Sequence, residues 1–358
     1  MKIRENTALK QYTSMCVGGP ALYFTSVSSK EELIEAIKFT KDRKLPHFIL
    51  GGGSNILVSD KGFPGLVIKM SILGKELLND NIEYVEYELG AGENWDKFVE
   101  FTVKNSLFGI ENMSHIPGTV GASVVQNIGC YGQEVAPTVK EIKVLELDTL
   151  NTLVLQNSDL KFSYRKSILN SERKGKYIVT SVVFRLEKQG KLSLNYDDLR
   201  KYFENNANIE PNLKTVREVV IKIRDSKFPY PDSPKNGSVG SFWNAEAVDE
   251  KTYEGIIEKL RRRGYEDKAL EMENKKSAFT VAQGYKVPYG VLIEVLGFKG
   301  KKYGGAKILK THAGIINNYS GEATAKEIYE LSNKVIERIE KEFGIRLKLE
   351  PELVGDFN

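Results

Sequence analysis

Short apolar runs alternate with an amphipathic stretch through the first third of the chain. The predicted elements are strands at 21–27, 46–50 and 66–70 and a helix at 29–44. Leu33, Ile34 and Ile37 recur at helical spacing and give that helix one apolar side. Ser29, followed three residues later by Glu32, is the sequence pattern of a capping box at its start. This order of elements is typical of an α/β arrangement.

From about residue 70 to 225 the pattern indicates mixed helices and strands. The predicted elements are strands at 81–90, 140–147, 177–186 and 191–196 and a helix at 94–105. The run Phe228–Pro234 contains three prolines, which remove backbone donors, so it marks a junction to a third block.

The third block is predicted to contain one helix near 248–264 and a long final helix. The apolar stripe of the final helix consists of Ile328, Leu331, Val335, Ile339 and Phe343. Gly344 follows at the position where a helix commonly ends. We interpret the stripe as core packing.

Composition places the chain among soluble globular proteins of two or three domains. It has 358 residues, of which 41% are hydrophobic and 28% charged. The net charge is only +4, from 52 basic and 48 acidic residues, and the signs are mixed along the chain. We therefore expect no nucleic-acid partner.

Compartment and metal content are also constrained by the sequence. The first 14 residues lack the apolar core of a signal peptide, and no stretch approaches a membrane span, so we expect neither export nor membrane insertion. Cys16 and Cys130 are isolated, which fits a reducing cytoplasm. Three histidines without a metal-ligand spacing predict no metal site.

Glycine-rich turns are concentrated in the first 130 residues. Gly51-Gly52-Gly53-Ser54-Asn55 follows a predicted strand, but it is neither a dinucleotide-binding fingerprint nor a phosphate-binding loop of the Walker type. By itself it is best interpreted as an ordinary turn. Together with Gly18-Gly19 and Pro117–Gly121 it indicates an extended, phosphate-bearing cofactor, because glycines allow close backbone approach.

An ordered set of motifs then covers nearly the whole chain. In chain order these are VGG at 17–19, GGGSN at 51–55, GAGENW at 90–95, IPGTVGA at 116–122, QNIGCYG at 126–132, FSYRKS at 162–167, GSF at 240–242 and LEPE at 349–352. The set resembles the UDP-N-acetylenolpyruvoylglucosamine reductases. Each string is weak alone, whereas the ordered set is specific.

The resemblance implies an α+β fold. It consists of a flavin domain of the vanillyl-alcohol-oxidase (PCMH) type with two α+β subdomains and a C-terminal α+β substrate-binding domain. The implied boundaries are 1–69 together with the tail 350–358, then 70–225, then 226–349.

The resemblance also implies non-covalent FAD as cofactor and NADPH as co-substrate. The implied cofactor-binding residues are Gly51, Gly52, Gly53, Ser54, Asn55, Ile116, Pro117, Gly118, Gly121, Ala122, Gln126, Asn127 and Gly129. The implied reaction reduces UDP-N-acetyl-3-O-(1-carboxyvinyl)-glucosamine (UDP-N-acetylglucosamine enolpyruvate) to UDP-N-acetylmuramate, a peptidoglycan precursor.

Three residues match the catalytic positions of the family. Arg165 is permanently protonated and suits the charge that develops on the substrate carboxylate. The resemblance implies that Ser241 is the proton donor and that Glu352 stabilises the intermediate or orients the proton path. Outside this family context, an isolated arginine, a Gly-Ser turn and an acidic pair would be interpreted as surface or structural features.

Four further residues match substrate-binding positions: Tyr164, Tyr196, Lys227 and Asn244. Tyr196 corresponds to the tyrosine with which one subclass covers the substrate diphosphate, and Lys227 to a cation near the nucleotide phosphates. The chain departs from the family pattern after Phe242, where it reads Trp243-Asn244, and at Val295, so the contacts to uridine and sugar stay open.

Two other functions remain open from the sequence. A flavin oxidase of the same fold would be reoxidised rapidly by air and would not respond to the enolpyruvyl nucleotide. A catalytically silent nucleotide-sugar binding protein would be colourless. For the reductase we expect a monomeric cytoplasmic enzyme.

Overall fold

Strands and helices alternate along the chain in the computed structural model, which describes residues 1–281 and 284–357. The strands are β1 (Arg4–Ala8), β2 (Pro20–Val27), β3 (His47–Leu50), β4 (Ile56–Val58), β5 (Phe63–Met70), β6 (Lys75–Asp80), β7 (Tyr84–Gly90), β8 (Gly129–Cys130), β9 (Gln133–Glu134), β10 (Val139–Glu146), β11 (Thr152–Gln156), β12 (Tyr177–Glu187), β13 (Gly237–Ser241), β14 (Trp243–Asn244), β15 (Thr280–Val281), β16 (Gly284–Tyr285), β17 (Lys302–Tyr303), β18 (Ala306–Ile308), β19 (Ile315–Asn318), β20 (Lys348–Leu349) and β21 (Glu352–Val354). The α-helices are α1 (Lys30–Arg43), α2 (Trp95–Lys104), α3 (Val120–Val125), α4 (Asp197–Asn205), α5 (Leu213–Lys227), α6 (Glu250–Arg262), α7 (Glu266–Asn274), α8 (Tyr289–Val295) and α9 (Ala325–Phe343). Short 3₁₀ helices lie at Leu9–Tyr12, Glu111–Met113, Ala136–Thr138, Asn157–Leu160, Ile168–Asn170, Pro234–Asn236 and Lys276–Phe279.

The chain divides into two compact units, each assembled from separated stretches. The first unit comprises Met1–Thr7, Pro20–Gly53 and Phe63–Tyr230, and the second comprises Ala8–Gly19, Ser54–Gly62 and Pro231–Asn358. Both units mix helices with sheets, so the predicted α+β class is confirmed. The finer division into three domains stays a prediction.

The first unit contains two sheets with different strand directions. One has the order β1-β2-β5-β3, with β2 and β3 both parallel to β5, as the α/β pattern predicts. The other has the order β11-β10-β12-β7-β6 and is antiparallel. Trp95 and Phe98 of α2 pack against Phe184 of β12 in its core, with the Phe98 and Phe184 ring centroids 4.9 Å apart.

The second unit is built around a sheet of order β13-β19-β18-β17 and the long helix α9. The predicted stripe of α9 is buried in the core of this unit. Thr324 caps the start of the helix, and Gly344 ends it with φ of 78°. The last strand, β21, pairs in parallel with β4, so residues 352–354 lie beside residues 56–58.

Two local predictions need correction. Residues 191–196 form no strand and lead instead into α4. Ser29 accepts a hydrogen bond from the Glu32 backbone N–H, as predicted, but the Glu32 carboxylate accepts from the N–H of Ser28 rather than of Ser29. Within the described residues, none of the helices combines the length and apolar character needed to cross a membrane.

Candidate active site

The two main glycine-rich passages of the first unit lie backbone against backbone. A Cβ atom at Gly52 would lie 2.5 Å from the Cα of Gly118, and one at Gly51 would lie 2.9 Å from the Thr119 hydroxyl oxygen. Real Cβ atoms do not approach so closely, so only glycine fits at position 52 against this backbone, whereas a Cβ at position 51 would force the Thr119 side chain to shift. The fold therefore brings Gly51, Gly52, Gly118 and the start of α3 into one cradle.

Two polar side chains that the sequence analysis missed line this glycine cradle. Lys69 of β5 donates a hydrogen bond from Nζ to the carbonyl oxygen of Gly51, and burial lowers the pKa of this lysine. The Thr119 hydroxyl is buried and has no hydrogen-bond partner among the described residues. A half-buried cation and an unpaired hydroxyl beside partly exposed glycine backbone fit the anionic diphosphate of FAD.

Signals for both residues were present in the sequence. Thr119 lies inside the motif IPGTVGA, between residues that were predicted to bind the cofactor. Lys69 is a lysine in an otherwise apolar strand, which is an unusual position for that side chain.

The predicted residues after α3 are held by bonds within the protein. Asn127 is buried, donates from its amide to Glu134 and to the carbonyl of Ser163, and accepts from the N–H of Ala136. The Asn127 side chain therefore holds in place the backbone that follows Gln126. Cofactor binding by Gln126, Asn127 and Gly129 stays a prediction.

Arg165 lies in a tight turn that is hydrogen-bonded to the motif QNIGCYG. Its Nη2 donates to the carbonyl oxygen of Gly129 at 2.7 Å, and the guanidinium carbon lies 5.1 Å from the ring centre of Tyr164. The backbone of Arg165 has φ of 55°, a left-handed conformation that costs a non-glycine residue about 1 kcal/mol. About half of the Tyr164 side chain is exposed beside it.

Tyr196 lies directly before α4, Lys227 is the last residue of α5, and these two helices pack against each other. Two residues after Tyr196, Asp198 accepts a hydrogen bond from Lys227 Nζ at 2.5 Å. The Tyr196 ring packs edge to face on Tyr131, with centroids 5.3 Å apart. Although about half of Tyr196 is exposed, local desolvation raises its pKa and the Asp198 carboxylate adds to this effect, so its hydroxyl stays protonated. The sequence analysis had assigned no role to Tyr131, which lies in the motif QNIGCYG, or to Asp198.

The second unit joins the segments that carry Ser241 and Glu352. Ser241 ends β13 after Gly240, which needs glycine because of its φ of 75°. The next residue, Phe242, accepts a hydrogen bond on its carbonyl oxygen from the N–H of Glu350. Glu352 begins β21 two residues later. Both predicted catalytic positions of this unit are therefore fixed by short, paired strands.

Asn55 braces the acidic motif of the second unit. The side-chain amide of Asn55 donates to the backbone carbonyl oxygen of Glu350 at 3.3 Å. The backbone carbonyl oxygen of Asn55 accepts from the N–H of Glu352 at 3.0 Å. Asn55 was predicted to bind the cofactor, and the structure adds this bracing of LEPE. Asn244 lies in β14 opposite Lys348, and its contact with substrate stays a prediction.

Family models match two large parts of the chain. The FAD binding domain model matches residues 21–149, and the model of the C-terminal domain of UDP-N-acetylenolpyruvoylglucosamine reductase matches residues 232–354. The first match covers both passages of the glycine cradle. Together, these matches and the glycine cradle define an FAD-dependent oxidoreductase.

Similar proteins extend over the full length of the chain. A UDP-N-acetylenolpyruvoylglucosamine reductase of Flavobacterium johnsoniae is 37% identical over 356 residues, covering 99% of this chain and all of the relative. One of Bdellovibrio bacteriovorus is 34% identical, covering 98% of this chain and 99% of the relative. The crystal structure of the Thermus caldophilus reductase matches 99% of this chain and all of its own, with a TM-score of 0.66 and 25% identity. The chain belongs to the UDP-N-acetylenolpyruvoylglucosamine reductase family, so the resemblance and the FAD cofactor predicted from the sequence are confirmed.

Proposed function

We propose that the protein reduces UDP-N-acetylglucosamine enolpyruvate to UDP-N-acetylmuramate, with NADPH as electron donor, in peptidoglycan precursor synthesis. The observation that carries the proposal is that one chain combines a glycine cradle suited to FAD with family similarity over its whole length. Bound FAD would supply hydride transfer from NADPH to the substrate double bond.

Arg165 is assigned to the substrate carboxylate. In an enolpyruvyl ether the double bond is conjugated to this carboxylate, so hydride addition at the terminal carbon spreads negative charge into it. A guanidinium can meet that charge with two parallel N–H bonds and cannot lose its own proton. The hydrogen bond to Gly129 supports this role because it orients the guanidinium before substrate arrives.

Ser241 is assigned as the donor of the proton that the second carbon requires, with Glu352 stabilising the intermediate or orienting the proton path. The pairing of Phe242 with Glu350 supports this assignment, because it places both residues on connected strands of one unit. A serine has a high intrinsic pKa, so the donor needs such a prepared setting.

Tyr164, Tyr196, Lys227 and Asn244 are assigned to the substrate. Tyr196 would cover the diphosphate, as in the subclass with a covering tyrosine, and Lys227 would bind its negative charge. The contact of Lys227 with Asp198, two residues after Tyr196, supports a shared role in binding the diphosphate.

We further propose a monomeric cytoplasmic enzyme without nucleic-acid or membrane partners. The monomer is the simplest assembly, because every residue assigned above is present in this one sequence. The isolated cysteines and the small net charge support the remaining assignments.

An anaerobic absorbance titration tests the reaction. The purified protein is titrated with NADPH, and UDP-N-acetylglucosamine enolpyruvate is then added. We expect the flavin band to bleach with NADPH and to return with the nucleotide. A protein with no flavin, and none after reconstitution, would instead be a nucleotide-sugar binding protein. Bleaching without recovery, followed by rapid reoxidation in air, would indicate an oxidase.

A further inference from the structure

Asn112 is a fully buried amide inside the first unit. It lies in the 3₁₀ helix Glu111–Met113, and its side-chain Nδ2 donates to the carbonyl oxygens of Tyr131 and Ser193, both at 2.7 Å. Its Oδ1 has no donor among the described residues. A buried polar atom without a partner is unfavourable. The two hydrogen bonds of the Asn112 amino group must therefore offset this cost.

These two bonds act on the two sides of Tyr196. Tyr131, in the turn between β8 and β9, packs its ring against Tyr196. Ser193 lies three residues before Tyr196 in the segment that joins β12 to α4. Asn112 therefore holds the backbone of Tyr131, whose ring packs against Tyr196, and the backbone of the segment that leads to Tyr196.

The segment before Tyr196 has little other backbone support. Within residues 189–195, the bond from Asn112 to Ser193 is the only backbone hydrogen bond found in the described chain. Tyr196 itself is about half exposed, so burial alone does not hold its ring. Loss of the Asn112 bond would allow this segment to take other paths.

Asn112 is itself rigidly held. Its N–H donates to Gln133 Oε1 at 2.8 Å, and Gln133 in turn donates to Glu111. Its carbonyl oxygen accepts from the Cys130 thiol at 3.0 Å. Asn112 therefore links the β8–β9 hairpin by hydrogen bonds to the segment that precedes Tyr196.

We propose that Asn112 is a positioning residue that acts through Tyr196 to set the affinity for the nucleotide substrate. This inference rests on the proposed function, in which Tyr196 covers the substrate diphosphate. Asn112 touches neither substrate nor cofactor in this assignment.

A double-mutant cycle tests the inference in the full-length, FAD-loaded enzyme. We expect Asn112→Ala to raise the KM for the enolpyruvyl nucleotide about tenfold, while the FAD content per chain stays unchanged. Tyr196→Ala should raise the same KM. In the Tyr196→Ala background, Asn112→Ala should add less than about twofold, because its route of action is already lost. A purely structural role would leave the two effects independent, and a multiplied KM would overturn the inference.

Two further variants keep the test interpretable. Asn206→Ala removes an amide bond to the carbonyl of Tyr202 at the end of α4, and as the matched control it should leave KM unchanged. Asn112→Ser retains one donor, so it should raise KM less than Asn112→Ala, and it replaces that variant in the cycle if the alanine chain does not fold.

A raised KM in Tyr196→Ala with a normal KM in Asn112→Ala would overturn the inference alone. A normal KM in Tyr196→Ala would overturn it together with the substrate role of Tyr196.

Discussion

Lys69 and Thr119 illustrate how single side chains prepare the glycine cradle. The half-buried ammonium of Lys69 donates to a glycine carbonyl, although partial burial disfavours its charge. The Thr119 hydroxyl is buried without a partner. A partly desolvated cation and a hydroxyl without a partner would each gain from a nearby anionic ligand, so we propose that both side chains serve FAD binding.

Thr119→Val should separate these two effects. Valine keeps the shape of the side chain but removes the hydroxyl, so we expect FAD to bind about tenfold more weakly. The melting temperature of the FAD-free protein should stay equal or rise slightly, because an unpaired buried hydroxyl is lost. Fluorescence titration of the FAD-free protein and thermal unfolding measure the two quantities.

The matched control for this prediction is Thr138→Val. The Thr138 hydroxyl is also buried, but it donates to the carbonyl oxygen of Val135 at 2.8 Å. This variant should lose stability and keep its affinity for FAD. Unchanged FAD affinity in Thr119→Val would show that the hydroxyl does not contact the cofactor.

Ser241→Ala should affect only one half of the catalytic cycle. Reduction of the flavin by NADPH should stay within about twofold, because no proton from Ser241 is needed there. Reoxidation by the enolpyruvyl nucleotide should slow by about 10² to 10⁴. Stopped-flow absorbance measures both steps, and Ser238→Ala in the same strand serves as control. Equal losses in both half-reactions would contradict the assignment of Ser241 as proton donor.

The catalytic candidates could be predicted from the sequence because each belongs to a short local motif. Arg165 follows Tyr164 in FSYRKS, and Ser241 follows Gly240 in GSF. Lys69 stands out in the sequence, but its contact with Gly51 and the contacts of Asn112 could not be predicted, because their partners lie between 18 and 81 positions away in the chain. Such contacts arise only from tertiary structure.

Among the secondary-structure elements, helices α2 and α5 are joined by a half-buried ion pair. Arg217 of α5 donates two hydrogen bonds to the Asp96 carboxylate of α2, at 2.7 and 2.9 Å. Burial tends to raise the pKa of Asp96, but the bonds from Arg217 and from the N–H of His115 hold this pKa below its ordinary value. The pair therefore stabilises the folded chain whenever Asp96 is ionised.

Asp96→Asn should destabilise the protein by about 2 kcal/mol at pH 7. Because the pKa is lower in the folded state, this contribution is complete above the ordinary carboxyl value near 4 and is lost as pH falls below it. The difference in melting temperature between wild type and variant should therefore shrink in acid. Thermal unfolding from pH 7 to pH 3 measures this dependence.

Asp197→Asn provides the control, since Asp197 pairs with Arg200 and Lys201 on an exposed helix face. It should change stability by less than about 0.5 kcal/mol. A constant gap between wild type and Asp96→Asn at every pH would contradict the ion-pair account.

The segment 191–196 shows where prediction of elements from sequence fails. Its alternating pattern indicated a strand, yet in the structure it is held by the side chain of Asn112 and continues into α4. The strands at 177–187 and the helix at 325–343 were predicted well because their long apolar patterns are buried by neighbouring elements. A short alternating run without a ladder partner has no such support.

For the molecule as a whole, the division into two units does not follow chain order. Residues 8–19 and 54–62 belong to the second unit, although the rest of the N-terminal region belongs to the first. Met15, Val17 and Leu57 are buried in the core of the second unit. Removal of residues 231–358 would expose these side chains.

A chain ending at residue 230 should therefore be aggregation-prone and lack a cooperative thermal transition. The expected cause is the loss of the partner strand of β4 together with the exposed apolar residues. Solubility, circular dichroism on heating and FAD binding measure the outcome. A soluble shortened chain that melts cooperatively and binds FAD would show that the first unit is independent.

The pairing of β4 with β21 also bears on how the protein is made. The three residues 56–58 are buried and apolar, and their parallel partner 352–354 is synthesised almost 300 positions later. At ribosomal rates of roughly 5–20 residues per second, this interval lasts about 15 to 60 s. During that time the nascent chain exposes an apolar strand that lacks its partner. Newly made copies should therefore depend on ribosome-associated chaperones, whereas the folded enzyme should not.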